Sequence, residues 1–294
     1  MGRDSDMLVT LVAEGRLSAA DAALASDVVR TQGGEPQGWD WIDAGDALDL
    51  RMAGGQGLRG ALEAAFPAVD VVLQSAAAGR RRMLLVADMD STMIQCECID
   101  ELADYAGLKP QVAAITEAAM LGQLDFAEAL RARVALLAGM PVETLEECRR
   151  ERVRLMPGAA ALVRTMRGWG ARTLLVSGGF TAFTAPVAAE IGFASQQANV
   201  LLVEDGRLTG TVAAPIVDAA TKRAALLGAG IDPALALAVG DGANDIPMIE
   251  AAGLGIAYHA KPRAAAAADS AVRFGDLTVL LRAQGLSRAE WAAC

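Results

Sequence analysis

The residues best suited to chemistry fall in four short stretches. Asp88 and Asp90 follow the apolar run "LLVA". Ser177 and Gly178 end "TLLVSG". Lys222 sits in "AATKRAALLGAG", and Asp241, Asn244 and Asp245 follow "LALAV". Asp and Ser commonly open turns, and Asp88 alone would carry no more than that. Polar groups at four such positions in one alternating strand–helix chain mean more, because open α/β sheets bind ligands beyond the carboxyl ends of their strands. Three or four carboxylates gathered there repel one another and need a hard cation. Oxygen donors without a histidine among them suit Mg²⁺, which keeps waters and shares a phosphate oxygen. Lys222 adds a fixed positive charge and Ser177 a hydroxyl. Gly178 lets a backbone N–H approach an anion closely where a helix starts. This is a set fit to hold and transfer a phosphoryl group.

The elements that must position these groups read as an α/β fold. From Met83, short apolar runs alternate with helical periodicity: "MLLVADMD", "TLLVSGG", "LALAVGDG", "LGIAYH" and "AVRF" as strands, with "TAFTAPVAAEIG", "AATKRAALLGAG", "NDIPMIEAAG" and "KPRAAAAA" as helices. That alternation predicts a Rossmann-like parallel sheet flanked by helices. "NVLLVEDGRLTGTV" reads as a hairpin turning at Asp205-Gly206. Residues 98–155 are helical in period and too long for a simple crossover. They are expected to form a helical cap inserted after the first strand, over the strand ends.

Residues 1–80 read as a separate α+β unit with the order βαββαβ, a ferredoxin-like sandwich. Ser18 is an N-cap for its first helix and Gly33 a stop. "GWDWIDAGDALDLRMAGG" reads as two strands around Ala44-Gly45. Within this unit Gly55, Gly57 and Gly60 fit G-x-G-x-x-G, but the acid expected about 20 residues further on, at the end of the next strand, is missing. No dinucleotide role is expected.

Composition excludes several classes. The net charge is −10 and the pI about 4.7, with no basic patch of the kind nucleic-acid binding requires. Arg80-Arg81-Arg82 is better read as a linker or strand lead-in. No apolar segment reaches the roughly 20 residues of a membrane span, and the N-terminus lacks a signal-peptide pattern. The four cysteines lack zinc spacing, and Cys96 and Cys98 are too close to make a good disulfide pair. Reduced thiols in a cytoplasmic protein follow. The single histidine, His259, has no base–nucleophile partner in view and is expected to be structural.

"DMDST", "SGG", a lone downstream lysine and "GDGAND" occur in the order found in the haloacid dehalogenase-like phosphotransferases, and the chain resembles that family over about residues 83–285. "DMDSTMIQCECIDELA", "AMLGQLDFAEALRARVALLAG" and "AVGDGANDIPMIEAAGLGIAYHAKP" resemble more narrowly its members that hydrolyse O-phosphoserine, the last step of serine biosynthesis. The resemblance implies that Asp88 is the nucleophile and forms an aspartyl-phosphate, and that Asp90 is the general acid/base. It implies Mg²⁺ on Asp88, Asp241 and the Asp90 carbonyl, with Asp245 close behind. Ser177, Gly178 and Lys222 would bind the phosphoryl oxygens, and Asn244 would orient substrate. In the cap it implies Glu97 for the substrate ammonium, Arg133 for its carboxylate, and Met120 and Phe126 as apolar walls. The unit before residue 80 resembles ACT-type regulatory domains, which suggests amino-acid binding or homodimer formation. Two other readings stand beside this one. The first is a related phosphatase or phosphotransferase on another small ester such as phosphohomoserine. The second is an amino-acid-sensing protein with an inert catalytic half.

Overall fold

The computed structural model describes residues 6–77, 79–120 and 123–293, and the side chain of Met120 lies outside what it describes. The first elements are β1 Asp6–Val12, α1 Ala19–Thr31, β2 Gly34–Asp43, β3 Ala47–Gly54, α2 Leu58–Ala65 and β4 Asp70–Ser75. The strands pair antiparallel in the order β2-β3-β1-β4. Their helices cover a core that includes Val9, Leu11, Val29, Leu50 and Leu62. Ser18 stands at the N-cap of α1, where Asp21 Oδ2 accepts both its N–H and its Oγ hydroxyl at 2.8 Å.

The chain continues with β5 Leu84–Ala87, then four helices: α3 Cys98–Tyr105, α4 Lys109–Met120, α5 Phe126–Ala135 and α6 Glu143–Arg152. After these come α7 Ala159–Gly168, β6 Arg172–Phe180, α8 Thr181–Ile191 and β7 Ser195–Asn199. The hairpin β8 Leu201–Glu204 and β9 Arg207–Val212 follows, turning at Asp205 and Gly206 with φ of 48° and 73°. The last elements are α9 Ala219–Leu227, β10 Ala236–Gly240, α10 Ile246–Ile249, β11 Leu254–Tyr258, α11 Pro262–Ala267, β12 Ser270–Val272 and α12 Val279–Ala283.

Strands β12-β11-β10-β5-β6-β7 lie side by side and parallel. β5, β10 and β11 are buried along their whole length, which is why they read as unbroken apolar runs rather than alternating ones. β7, "SQQAN", is an edge strand with no apolar run to announce it.

The two sheets are one. β4 pairs antiparallel with β12 through Val71 and Ala271, making ten continuous strands. The arginine triplet leads into β5, with Arg80 and Arg82 drawn into the fold and Arg81 left exposed. Arg80 is paired with the buried Asp49 of β3. Arg82 is 1% exposed and donates to the Ala234 carbonyl and to Gln74 Oε1, each at 2.8 Å. From α2, Arg59 donates to the carbonyls of Ala265 and Ala268 at the end of α11. Arg59, Arg80 and Arg82 are therefore spent on internal pairing.

Candidate active site

The sheet brings its carboxyl ends to one edge, and the candidate groups meet there. Asp88 continues the ladder, its N–H donating to the Val239 carbonyl at 3.0 Å. The chain then turns sharply: the N–H groups of Thr92, Met93 and Ile94 all reach the Met89 carbonyl, and Ser91 takes φ of 54°. Beside it, Ser177 is buried, and its Oγ accepts the Gly179 N–H at 2.9 Å. Lys222, on α9, reaches in from below, fully buried. Its Nζ lies 2.6 Å from Asp88 Oδ1 and 2.6 Å from Asp245 Oδ1. Asp245 Oδ2 accepts the Gly242 N–H at 3.0 Å.

The charges do not balance. Asp88, Asp241 and Asp245 each place a carboxylate oxygen within 4.8 Å of the others. Buried Lys222 offers them a single positive charge, leaving two negative charges that the exposed Lys261, 3.9 Å from Asp241 Oδ2, touches only loosely. Burial, then Asp245, push the Asp88 carboxyl above the ordinary range, and Lys222 only partly opposes them. Asp241 is pushed up to about 6 by burial, then by Asp245 and Glu97. Lys222 is held protonated: burial works against its charge, but the two carboxylates outweigh it. Hard oxygen donors with an excess of two negative charges fit a divalent cation of the Mg²⁺ type. The Asp88 and Asp241 carboxylates are the groups that could hold it, since Lys222 and Gly242 engage the Asp245 oxygens.

Asp90 stands one layer out and in a different state. Its Oδ1 accepts the Cys98 N–H at 3.1 Å, at the start of α3. Burial, then Glu97, raise its carboxyl to about 7, with Cys98 and Lys222 opposing. Both carboxyls are raised, but they differ in partners: Asp88 is tied to the Lys222 ammonium, and Asp90 to the Cys98 N–H.

Above the edge lie α3 and α5. A cavity of about 120 Å³ is lined by Asp88, Asp90, Ser177, Gly178, Asp241 and Asn244 below, and by Glu97, Phe126 and Arg133 above. Glu97 Oε1 accepts from Ser91 Oγ at 2.8 Å. Among the described residues Arg133 makes one bond, a local one from Nε to the Ala129 carbonyl at 3.2 Å. Phe126 leans on Gly178, where a Cβ would stand 3.1 Å from its Cζ. Every candidate residue borders this cavity or, like Lys222 and Asp245, underlies it; Met120 ends α4, and its side chain is not described.

Some contributors were not singled out from sequence. A Cβ on Gly179 would sit 3.0 Å from Asp90 Oδ2 and 3.1 Å from Ser177 Oγ, so glycine leaves room for both. Asn199, buried at the end of β7, donates to the Gly178 carbonyl at 2.8 Å and accepts the Val217 N–H at 2.8 Å, which fixes the loop. The second glycine of "SGG" was a signal for Gly179; nothing local marks Asn199. Lys261 also lines the cavity.

The fold and site define a class: the chain belongs to the haloacid dehalogenase-like hydrolases, whose family pattern matches residues 85–250, and within them to the phosphoserine phosphatases. It is 50% identical over 207 residues to the phosphoserine phosphatase of Polaromonas sp. (strain JS666), an alignment covering 67% of this chain and 88% of that protein. It is 45% identical over 235 residues to that of Streptomyces coelicolor, covering 78% of this chain but only 57% of the longer relative. A solved structure of a probable phosphoserine phosphatase from Vibrio cholerae superposes with a TM-score of 0.77 at 34% identity, over 97% of this chain and 88% of that one.

Proposed function

We propose that the chain is a Mg²⁺-dependent phosphatase that hydrolyses O-phosphoserine to serine and phosphate, through a phosphoryl group carried on Asp88. One observation carries this reading. A single cavity joins an acid pair and anion-binding groups at its floor to one carboxylate, Glu97, and one guanidinium, Arg133, at its roof. O-phosphoserine has the matching groups: a phosphate at one end, an ammonium and a carboxylate at the other.

Asp88 attacks phosphorus through Oδ2, while Lys222 and the Met89 N–H hold Oδ1. Asp90 donates its proton to the departing serine oxygen and then takes one from the water that attacks the aspartyl-phosphate. Mg²⁺ on Asp88, Asp241 and the Asp90 carbonyl would neutralise charge on the phosphoryl oxygens. Ser177, the Gly178 N–H and Lys222 receive those oxygens as charge builds, and Asn244 orients the group. Glu97 takes the ammonium, and Arg133 takes the carboxylate with a planar fork. Phe126, together with Met120, closes the site to water.

Residues 98–155 serve as the cap in this reading, within a catalytic unit of residues 83–294. Residues 1–80 serve as a ferredoxin-like ACT-type unit for ligand binding or homodimer contact, which its strand order supports. Free thiols at Cys96, Cys98 and Cys148 suit a cytoplasmic setting. Among the described residues no helix is long and apolar enough to cross a membrane. Steady-state rates on a panel of phosphate monoesters with Mg²⁺ test the proposal. O-phosphoserine should give the highest kcat/KM; a preference for phosphohomoserine or another ester would refute the assignment.

A further inference from the structure

Lys261 borders the cavity, unlike the buried Lys222 beneath it. Its Nζ stands 3.9 Å from Asp241 Oδ2, and its side chain is 74% exposed. A lysine so exposed is ordinarily just a solvated charge. Its backbone argues otherwise. The Lys261 N–H donates to the Asp241 carbonyl at 3.1 Å, and Pro262 opens α11 directly after it. Two residues before, His259 takes φ of 43°, a left-handed conformation that a non-glycine residue keeps only when its surroundings impose it.

Those surroundings are explicit. The His259 N–H donates to the Val272 carbonyl at 2.9 Å, and its Nε2 donates to the Gly275 carbonyl at 2.9 Å. The loop carrying Gly275 is gripped in turn by the buried Asp70 of β4. Asp70 accepts the N–H groups of Arg273, Phe274 and Gly275 at 2.6, 3.1 and 2.7 Å. A chain of bonds thus runs from the first unit to one lysine at the cavity rim.

The charge at the rim gives that lysine a task. Four carboxylates line the cavity, those of Asp88, Asp90, Glu97 and Asp241. Lys222 serves the phosphoryl group from beneath, where Asp88 and Asp245 hold it. Arg133 lies at the roof, so Lys261 is the exposed cation at the rim among the described lining residues, its contact with Asp241 a loose 3.9 Å. We infer that Lys261 is a phosphate-binding residue, which leaves its loose contact with Asp241 to donate to an oxygen of the incoming phosphoryl group, and that His259 is the positioning residue that aims it. The inference rests on the phosphatase reading for its substrate, but not for its anion.

The test measures inorganic phosphate binding by calorimetry to the full chain with Mg²⁺, and O-phosphoserine kinetics alongside. Lys261→Met should weaken phosphate binding about tenfold and raise KM by a similar factor, the effect of one charge-assisted contact. Its kcat should stay within about twofold, and Lys261→Arg should recover most of the loss. His259→Ala should reproduce part of the loss, and adding Lys261→Met to it should give no more than Lys261→Met alone. Equal phosphate binding by wild type and Lys261→Met overturns the inference. So does full additivity of the two substitutions, as regards His259. A wild type that binds phosphate through Lys261 but does not hydrolyse O-phosphoserine defeats the substrate assignment and leaves this inference standing. A wild type that binds no phosphate overturns this inference, while the O-phosphoserine kinetics alone decide the substrate assignment.

Discussion

Replacing Lys222 by Met should make the protein's stability depend on divalent cations. Lys222 lies fully buried, 2.6 Å from each of Asp88 and Asp245. Methionine keeps most of its volume and none of its charge, so two buried carboxylates lose their counter-ion. Removing one partner of a buried ion pair costs about 3–5 kcal/mol. Proton uptake caps that cost: a carboxyl with an ordinary pKa near 4 takes a proton at pH 7 for about 4 kcal/mol. The two limits agree, and about 4 kcal/mol is a Tm loss of roughly 6–7 °C for a chain of 294 residues. The sign with pH follows. A carboxyl whose folded pKa is raised destabilises above its unfolded pKa, and the penalty shrinks as pH falls. The Lys222→Met deficit should therefore be largest near pH 8 and nearly absent near pH 4. Mg²⁺ should recover more of it than it adds to wild type, because the cation supplies the charge the lysine no longer gives. The assay is thermal unfolding across pH with and without Mg²⁺. A variant that melts like wild type in chelator at pH 8 would refute the electrostatic account of the site.

Other consequences are smaller in scope. Asp90 must carry a proton to serve the leaving oxygen, so kcat should fall as pH rises through its pKa near 7. Glu97→Gln removes a charge that raises this value, so the alkaline limb of the kcat profile should move to lower pH; an unmoved limb would show that Glu97 does not act on Asp90. Gly179→Ala puts a methyl group 3.0 Å from Asp90 Oδ2, and kcat should drop at least about tenfold with Tm nearly unchanged. Retained kcat would mean that the acid tolerates displacement. Asp70→Ala leaves three N–H groups without their acceptor and should cost about 3–5 kcal/mol in chemical denaturation; a loss under 1 kcal/mol would mean that the loop is held by other contacts.

What could be read from the sequence divides along physical lines. β5 and β10 are buried on both faces, so their apolar runs end abruptly at Asp88 and Asp241, and strand-end chemistry announces itself there. The turn at Asp205-Gly206 was equally plain, because its left-handed backbone favours those residue types. β7 was not, since an edge strand of Ser, Gln and Asn carries neither alternation nor an apolar run. The joining of β4 to β12 rests on one residue pair 200 positions apart in sequence, Val71 with Ala271, and no local pattern encodes it. Arg80 and Arg82 read only as a linker or strand lead-in because their partners Asp49 and Gln74 are brought to them only by the fold. Glu97 and Arg133 are charges on helices, indistinguishable in isolation from surface residues. Their meeting over Asp90 needs the turn at Ser91 and the start of α3.

The central claim is that Asp88 is the group that attacks phosphoserine. The most direct test compares wild type with Asp88→Asn in O-phosphoserine turnover with saturating Mg²⁺, with folding of both checked by Tm. The account predicts a folded variant whose kcat is lower by at least about 10⁴-fold. Hydrolysis by Asp88→Asn at near the wild-type rate would contradict it.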